Sequence, residues 1–520
     1  MTETDKKEEI TAQSDQEEIK RIKLTRHLWP DEVEKKKSEK TIRRLRIGVV
    51  VLGVLGLLAG WIGGSFLPIP GANRPTINVT QLVPMDTKEK ISSILGILEN
   101  VWFFSKDIDN LGDRLTDQAL IGITTNPEDI HTSYMTKEEM ESFTQGINRN
   151  FVGIGVQYIS VEEANIITSV FKDSPAEKAG VLAGDVIKAV DGIDLSGKTT
   201  DDIKDLVTGE SGTKVVLSVE RQGQEMDIPI IRGEILATIS GEILDEETGY
   251  LNMVQFGDST ANEMDKYLAE FDENGIENLI IDLRENGGGY LTSLQGVAGR
   301  FLEKGTLIIQ EEDKDGNISK TISKGENLHT FKNIILLISD STASAAEAFT
   351  ISMKENLDCV TTVGITTYGK GTVQTNRYFS DGSALKVTSS RWLSPSGVWI
   401  NEKGIDPDIE IQDHQALQIG WVGMEEDEVL EYDSVGEAVK CAQNGLDYLG
   451  YTPDRTDGYF SRDTEEKIRQ FQSDHELTAD GKLNQKTYLS IYSAIVYEIS
   501  FNKEKDAQLQ KALEIIHEES

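Results

Sequence analysis

The spacing of apolar and polar residues divides the chain into segments of different character. Residues 1–40 are dense in charge and poor in apolar side chains, which predicts disorder. Residues 47–66 form an uncharged apolar run, long enough for the ~20 residues that cross a bilayer core. Residues 68–85 contain four prolines and indicate a spacer. Residues 87–150 show helical spacing, with apolar side chains three or four positions apart from Ile91 to Val101, which predicts a helical segment.

Two different patterns occupy the middle of the chain. Residues 151–232 show short alternating runs such as Val215–Val219, separated by glycines, and these predict a β-rich domain. From residue 249 onward, apolar strands such as Leu279–Leu283 alternate with helical stretches such as Ala345–Asn356. This alternation predicts an α/β core. Residues 412–433 are acidic and poorly periodic, and we interpret them as a linker.

A short pattern occurs twice in residues 434–497. Asp457-Gly458 and Asp480-Gly481 each predict a tight turn, and each glycine is followed three residues later by a helix-capping side chain, Ser461 or Asn484. Two turn-helix units that pack on each other would explain the repeat. We therefore expect a small helical domain, followed by a charged helical tail.

The charge distribution indicates how the chain is oriented at a membrane. Between Lys35 and Arg46, seven basic residues stand against one acid, Glu39, directly before the apolar run. The positive-inside rule therefore predicts a cytoplasmic N-terminal tail, with the rest of the chain outside the cell. A cleaved signal peptide is the alternative, but 46 residues make a very long charged leader and favour an uncleaved anchor.

Composition excludes several classes of function. The net charge of −37 repels phosphate backbones, so nucleic acid is excluded as a partner. The two cysteines, Cys359 and Cys441, lie far apart in different predicted domains, and the six histidines form no HExxH motif. The sequence therefore predicts neither a metal site nor any other cofactor.

The first candidate for chemistry is the segment Ser341-Thr342-Ala343-Ser344-Ala345-Ala346-Glu347. A serine among small residues at the start of a helix is open to an incoming carbonyl, and the helix N-terminus supplies free N–H groups for an oxyanion. Ser344 and Glu347 also fit a capping box, and this segment alone favours capping.

The second candidate is Lys370, in the segment Thr367-Tyr368-Gly369-Lys370-Gly371. A lysine can deprotonate a serine only if its pKa falls toward neutrality, which desolvation achieves and a carboxylate partner opposes. Neither Asp nor Glu lies between Asp358 and Asp381, and Gln374 can orient an amine without raising its pKa. A surface lysine in a glycine loop is the simpler interpretation if the segment is taken alone.

A third segment, Asp282-Leu283-Arg284-Glu285-Asn286-Gly287-Gly288-Gly289, follows a buried strand. Its glycines allow a backbone N–H to approach a substrate closely, although a plain strand-to-helix turn has the same composition.

In this order, the three segments resemble the carboxyl-terminal processing peptidases, a family of Ser-Lys serine peptidases, over residues 86–411. The resemblance implies that Ser344 is the nucleophile, that Lys370 is its general base and that Gln374 assists the lysine. It also implies an oxyanion hole made by the backbone N–H groups of Ala345 and Gly288.

Residues 151–232 resemble a PDZ domain. The loop and strand of Val152-Gly153-Ile154-Gly155-Val156 match its carboxylate-binding loop, and Asp173–Gly180 and Gly184–Ile187 match its later loop and strand. The resemblance implies that the loop binds the free C-terminus of a peptide and that the strand edge adds the peptide by β-augmentation. A glycine turn with a role in folding only is the alternative.

Residues 434–497 resemble a peptidoglycan-binding domain in Leu449-Gly450-Tyr451, the two Asp-Gly turns and Phe471-Gln472. The resemblance implies a cell-wall partner, and Tyr451, Tyr459 and Gln472 are candidate glycan contacts. A small helical interaction module is the alternative.

The sequence as a whole predicts a multidomain α/β protein: a transmembrane helix, a β-rich PDZ domain, an α/β peptidase core and a small helical C-terminal domain. The expected function is that of a serine endopeptidase anchored by one helix in a Gram-positive bacterial cell membrane, cleaving proteins near their C-termini outside the cell. A non-catalytic PDZ and wall-binding scaffold is the alternative, but it has no need of both Ser344 and Lys370.

The predicted segments are a cytoplasmic tail (1–46), anchor (47–67), linker (68–85), N-terminal helical part of the peptidase (86–150), PDZ domain (151–232), peptidase core (233–411), linker (412–433), peptidoglycan-binding-like domain (434–497) and helical tail (498–520).

Overall fold

The computed structural model describes residues 86–518, apart from residues 149, 162, 163, 222, 237 and 426. The predicted cytoplasmic tail, anchor and first linker lie outside the described residues. Within the described part of the chain, no helix is both long enough and apolar enough to span a membrane. The chain divides into two units, residues 1–91 and residues 92–520. The first is described only at residues 86–91, and all further contacts below lie within the second.

The segment before the PDZ domain is helical, as the apolar spacing predicts. It contains α1 (Thr87–Asn100), a 3₁₀ turn (Ser105–Asp107), α2 (Leu111–Thr124), the short strand β1 (Ser133–Met135) and α3 (Lys137–Asn148).

The chain enters and leaves the predicted PDZ domain through a two-stranded ribbon, in which β2 (Asn150–Gly153) pairs with β9 (Gly233–Leu236). Between them, the main sheet has the order β3-β4-β5-β7-β8, so that β3 lies at one edge. Its strands are β3 (Val156–Val161), β4 (Ala164–Val170), β5 (Val186–Val190), β6 (Ile193–Asp194, paired with β5), β7 (Lys214–Arg221) and β8 (Gln224–Ile231), with helices α4 (Pro175–Ala179) and α5 (Thr200–Val207).

The predicted peptidase core is built on a six-stranded sheet of order β10-β11-β12-β15-β16-β19, parallel from β11 onward. A second sheet has the order β1-β18-β13-β14, and β17 pairs with β18. The elements are β10 (Ile239–Ile243), β11 (Thr248–Met253), α6 (Thr260–Glu273), β12 (Asn278–Asp282), α7 (Leu291–Ala298), β13 (Leu307–Asp313), β14 (Ile318–Ile322), β15 (Asn333–Ile338), α8 (Ala345–Asn356), β16 (Val360–Gly364), β17 (Thr372–Tyr378), β18 (Ala384–Leu393) and β19 (Ile409–Glu410).

Strands β12 and β15 are buried along their whole length, which explains their continuous apolar sequence. One face of the sheet, which includes Leu279 and Ile281, packs against α6, α7 and α8. The opposite face, which includes Ile280 and Leu337, packs against Leu509 and neighbouring side chains of α13 (Ala507–Glu518). The segment predicted as a helical tail is therefore a layer of the peptidase core.

The C-terminal domain confirms the turn-helix repeat. Its elements are α9 (Gln415–Gln418), β20 (Val429–Leu430), α10 (Glu437–Tyr448), α11 (Arg462–Asp474), β21 (Leu483–Asn484) and α12 (Gln485–Phe501). Ser461 accepts the N–H of Thr464 at 3.0 Å and caps α11, and Asn484 accepts the N–H of Thr487 at 2.9 Å and caps α12.

The predicted linker 412–433 is part of this domain rather than a free connection. Ala416 and Met424 are buried in its core, and β20 pairs with β21. Six apolar residues lie between positions 416 and 424 of this stretch, and Ala416 and Met424 among them anchor it in the core. Helix α12 in turn packs on the PDZ sheet, where Leu489 and Tyr492 contact the core of Ile166 and its neighbours.

Candidate active site

Ser344 lies where strand β15 gives way to helix α8, at the carboxyl end of a central parallel strand. Its backbone has φ 57° and ψ −115°, a conformation that an L-residue adopts only under strain. Its N–H donates to the Glu347 carboxylate at 2.8 Å. The strained turn places the serine at the N-terminus of α8, next to the N–H of Ala345, as the sequence predicts.

The buried Glu347 carboxylate connects this turn with the lysine loop. It accepts the N–H of Lys370 at 2.8 Å and the N–H of Gly369 at 2.6 Å. The hydroxyl of Thr367 donates to the same carboxylate at 2.6 Å. One side chain therefore binds the backbones of both Ser344 and Lys370, which lie 26 positions apart in the sequence. The sequence motif contains Glu347, but its bonds to the lysine loop could not be predicted.

Lys370 lies in the loop between β16 and β17 and is half-buried. Burial lowers the pKa of its ammonium, the positive charge of Lys386 lowers it further, and the charge of Glu347 opposes both. The lysine is therefore not surrounded by neutral groups alone, although neither Asp nor Glu lies near it in the sequence. The carboxylate comes from α8 and not from the lysine's own segment, so local sequence does not reveal it.

Gln374 lies on β17, at a break in the register of the β17–β18 pair. Its amide donates to the hydroxyls of Thr372, at 3.0 Å, and Thr388, at 3.3 Å. The Thr388 hydroxyl in turn donates to Asp129 at 3.1 Å. The Gln374 amide hydrogens thus bind two hydroxyls of the second sheet, and Thr388 extends the network to Asp129. Asp129 and Thr388 are supporting residues that no motif had indicated.

The glycine loop that follows β12 lies against Ser344. Gly288 has φ 104°, and a Cβ at this position would lie 2.9 Å from the Ser344 Cβ and 3.0 Å from the Ala345 nitrogen. Only glycine fits this close approach. The Gly288 N–H donates to the side-chain oxygen of Asn286 at 2.9 Å. In this conformation, the N–H predicted for the oxyanion hole is occupied by Asn286.

The five residues predicted to bind a peptide C-terminus run from one sheet of the PDZ domain to another. Val152 and Gly153 belong to β2, Ile154 and Gly155 form the connection, and Val156 begins the edge strand β3. The Ile154 side chain is buried in the domain core. Gly155 has φ 85°, and a Cβ there would lie 2.4 Å from the Ser174 Cβ, so the turn requires glycine.

A tyrosine spans the space between the edge strand and helix α5. The hydroxyl of Tyr158, on β3, donates to the carbonyl of Thr200 at 3.0 Å. The side chain therefore crosses the groove in which a β-augmenting peptide would lie between the strand and the helix.

The candidate glycan contacts differ in their environments. Gln472 is buried, donates to Lys482, Thr487 and Asp480, and accepts the N–H of Gly481. It stabilises the second Asp-Gly turn, so its proposed glycan contact is wrong. Tyr451 and Tyr459 are partly exposed, and their hydroxyls donate to Asp474 and Asp433. In the described residues, no group of three or more His, Cys, Asp or Glu side chains could hold a metal ion.

Three family models match parts of this chain: Peptidase family S41 over residues 247–411, a PDZ domain over residues 166–221, and a peptidoglycan binding domain over residues 435–490. The chain is 36% identical over 378 residues to the "Probable CtpA-like serine protease" of Staphylococcus haemolyticus, an alignment that covers 72% of this chain and 75% of that protein. It is 33% identical over 412 residues to the "Carboxy-terminal processing protease CtpA" of Bacillus subtilis, covering 78% of this chain and 86% of that protein.

Proposed function

The chain belongs to the carboxy-terminal processing serine proteases of peptidase family S41, and we propose that Ser344 and Lys370 carry out its peptide hydrolysis. The observation that carries this proposal is the bonding of Glu347 to the backbones of both residues. Because Glu347 is fully buried, the serine and the lysine loops are held in one fixed arrangement.

The proposed reaction begins with neutral Lys370 taking the proton from the Ser344 hydroxyl. The Ser344 oxygen attacks the carbonyl carbon of the scissile bond, and the tetrahedral oxyanion is stabilised by the Ala345 N–H at the positive end of α8. Lys370 then gives its proton to the leaving amine, which leaves an acyl-enzyme that water hydrolyses. The Gly288 N–H contributes to the oxyanion hole only after its bond to Asn286 opens.

We propose that the PDZ domain captures the C-terminus of the substrate. Strand β3 is an edge strand, so its free backbone groups can pair with an added peptide. The Tyr158–Thr200 hydrogen bond must open to admit that peptide between β3 and α5.

We further propose that residues 47–67 anchor the protein in a Gram-positive cell membrane, with the catalytic domain outside. The uncharged apolar run and the basic residues before it support this placement. Proteolysis of intact protoplasts should remove an epitope placed in the PDZ domain and leave one in residues 1–46 intact. The reverse pattern would contradict the orientation.

The C-terminal domain is proposed to hold the protease at peptidoglycan, since residues 435–490 match the family model of such a domain. A soluble form beginning at residue 86 should sediment with purified wall sacculi. If it stays in the supernatant at low and physiological salt, this part of the proposal is wrong.

The nucleophile assignment can be tested by covalent labelling with a serine-reactive phosphonate probe. The expected adduct is on the peptide that contains Ser344, and Lys370→Ala should slow its formation because the serine then lacks its base. An adduct on a different serine, formed at the same rate in both proteins, would contradict the assignment.

A further inference from the structure

The side chain of Arg284 joins the peptidase core to a residue far along the chain. Its guanidinium binds both carboxylate oxygens of Asp506, with Nη1 at 2.9 Å and Nη2 at 2.7 Å. This two-point geometry is the strong form of an arginine–carboxylate bond. The Arg284 side chain is only 21% exposed, so the pair differs from a solvated surface ion pair of little energetic value.

Asp282 is the second carboxylate on the same guanidinium, and it has further partners. It accepts the hydroxyl of Tyr250 at 2.8 Å and the backbone N–H of Arg284 at 3.0 Å. Burial acts to lower the pKa of Arg284, but the charges of Asp282 and Asp506 outweigh it and hold that pKa well above its usual range. Without Asp506, Nη1 would keep only the side-chain oxygen of Gln508, at 3.3 Å.

The backbone beside Arg284 is bonded to the loop that leads into Ser344. The Arg284 carbonyl accepts the hydroxyl of Ser339 at 2.5 Å, and the Leu283 carbonyl accepts the hydroxyl of Thr342 at 2.8 Å. The Asn286 carbonyl accepts the N–H of Ala343, the residue directly before the serine, at 3.0 Å. A shift of residues 283–286 would therefore move the glycine loop and the serine loop together.

We propose that Asp506 is a positioning residue of the peptidase: by fixing Arg284, it sets the geometry of the loops that carry Gly288 and Ser344. This inference rests on the proposed function, in which Ser344 is the nucleophile. Asp506 lies outside residues 247–411 and 435–490, the parts of the chain matched by the peptidase and peptidoglycan-binding models. The active site thus depends on a segment beyond the residues by which the family is recognised.

Asp506 also caps helix α13, because its Oδ1 accepts the N–H of Leu509 at 2.9 Å. This second role determines the choice of variant. Asparagine caps a helix about as well as aspartate, so Asp506→Asn keeps the cap while it removes the charge and one acceptor from Arg284. Asp506→Glu keeps the charge and serves as the conservative variant.

A matched control is available at the other end of the same helix. His517 pairs with Asp245 at 3.2 Å and connects α13 to the segment between β10 and β11, away from Arg284. His517→Gln therefore weakens the docking of α13 but leaves the Arg284 bonds in place.

Steady-state kinetics on a soluble form with all three domains test the inference. For Asp506→Asn we expect kcat to fall about tenfold to a hundredfold with KM unchanged, since small displacements of reacting groups cost rate on this scale. Asp506→Glu should recover part of the loss, and His517→Gln should keep the original kcat. Asp506→Asn should unfold at a lower temperature than His517→Gln, because the Arg284–Asp506 pair is the more buried of the two, so kcat is measured well below both midpoints.

Two results would overturn the inference: an unchanged kcat for Asp506→Asn, or a parallel loss of kcat and thermal stability in both variants. If Asp506→Asn does not fold, Asp506→Ser takes its place, because serine also caps a helix but has no carboxylate for Arg284. A folded Asp506→Ser with a lowered kcat supports the inference, and one with an unchanged kcat overturns it. Ser344→Ala is measured beside them. Activity in Ser344→Ala would refute the proposed site, whereas activity in Asp506→Asn would refute only the role of Asp506.

Discussion

The carboxylate of Glu347 accepts the backbone N–H of Lys370 at 2.8 Å, so the proposed general base is held through its main chain. This leaves the lysine amine available for proton transfer. The negative charge of the same carboxylate raises the pKa of Lys370, whereas burial and Lys386 lower it. Glu347 thus positions the lysine but makes its neutral form less populated.

Replacing Glu347 by glutamine should separate these two effects. Its amide hydrogens would face backbone N–H groups that now donate to a carboxylate, so we expect kcat to fall by tenfold or more. Loss of the negative charge should also move the acid limb of any remaining activity to lower pH. If neither the plateau rate nor the midpoint of the acid limb changes in Glu347→Gln, Glu347 neither positions Lys370 nor affects its pKa.

Ser344→Ala and Lys370→Ala should each abolish peptide hydrolysis, because a nucleophile and its base fail together. Circular dichroism and thermal unfolding should remain close to those of the unaltered protein. The matched control is Ser341→Ala, which lies in the same loop and is exposed. Hydrolysis by either dyad variant beyond a residual few per cent of the original rate would contradict the Ser-Lys mechanism.

The rate should increase with pH along a limb set by Lys370. Burial lowers the pKa of this lysine, and the active form is the neutral amine, so kcat/KM is low at acid pH and reaches a plateau above the folded-state pKa. Lys386→Gln removes a neighbouring positive charge, which should raise the Lys370 pKa and move the limb to higher pH. Lys314→Gln, at an exposed position, is the control. A limb that stays in place in Lys386→Gln would show that the two lysines do not interact.

Amidation of a substrate's C-terminus should weaken its processing, because clustered backbone N–H groups favour a carboxylate over an amide. The effect should appear in KM more than in kcat, because the proposed binding of the C-terminus by the PDZ domain is separate from the chemical step. Tyr158→Phe removes the hydrogen bond to Thr200 and should lower KM for the free-acid peptide. Equal KM values for acid and amide peptides would refute capture by the carboxylate.

Leu509→Ala should reduce the free energy of unfolding by about 2–5 kcal/mol, the usual result of truncating a buried leucine. Leu509 is 2% exposed and packs on Ile280, Ile335 and Leu337 of the peptidase sheet. Glu514→Ala, at an exposed position of the same helix, is expected to change the value little. Chemical denaturation measures the stability of both variants. Equal transition midpoints for Leu509→Ala and Glu514→Ala would show that the Leu509 side chain does not stabilise the fold.

Sequence motifs indicate the candidate residues of the site but not the contacts that position them. The segments of Ser344, Lys370 and the glycine loop each allow a purely structural role when taken alone, and their order along the chain indicates the chemistry. The bond from Arg284 to Asp506 joins residues 222 positions apart, and no local pattern records such a contact. For the same reason, residues 412–433 resembled a linker and residues 498–520 a tail, although apolar side chains of both segments are buried in hydrophobic cores.

Helix α13 also has a consequence for the order in which this enzyme matures. Residues 507–518 emerge well after Ser344 during synthesis, yet they cover the apolar face of the sheet that carries the serine. Chains fold from the N-terminus as they are made, so the peptidase sheet stays open on that side until this helix arrives. The scaffold of the protease is therefore complete only once residues 507–518 have been made, and a nascent or prematurely ended chain lacks both the cover of the sheet and the carboxylate that binds Arg284.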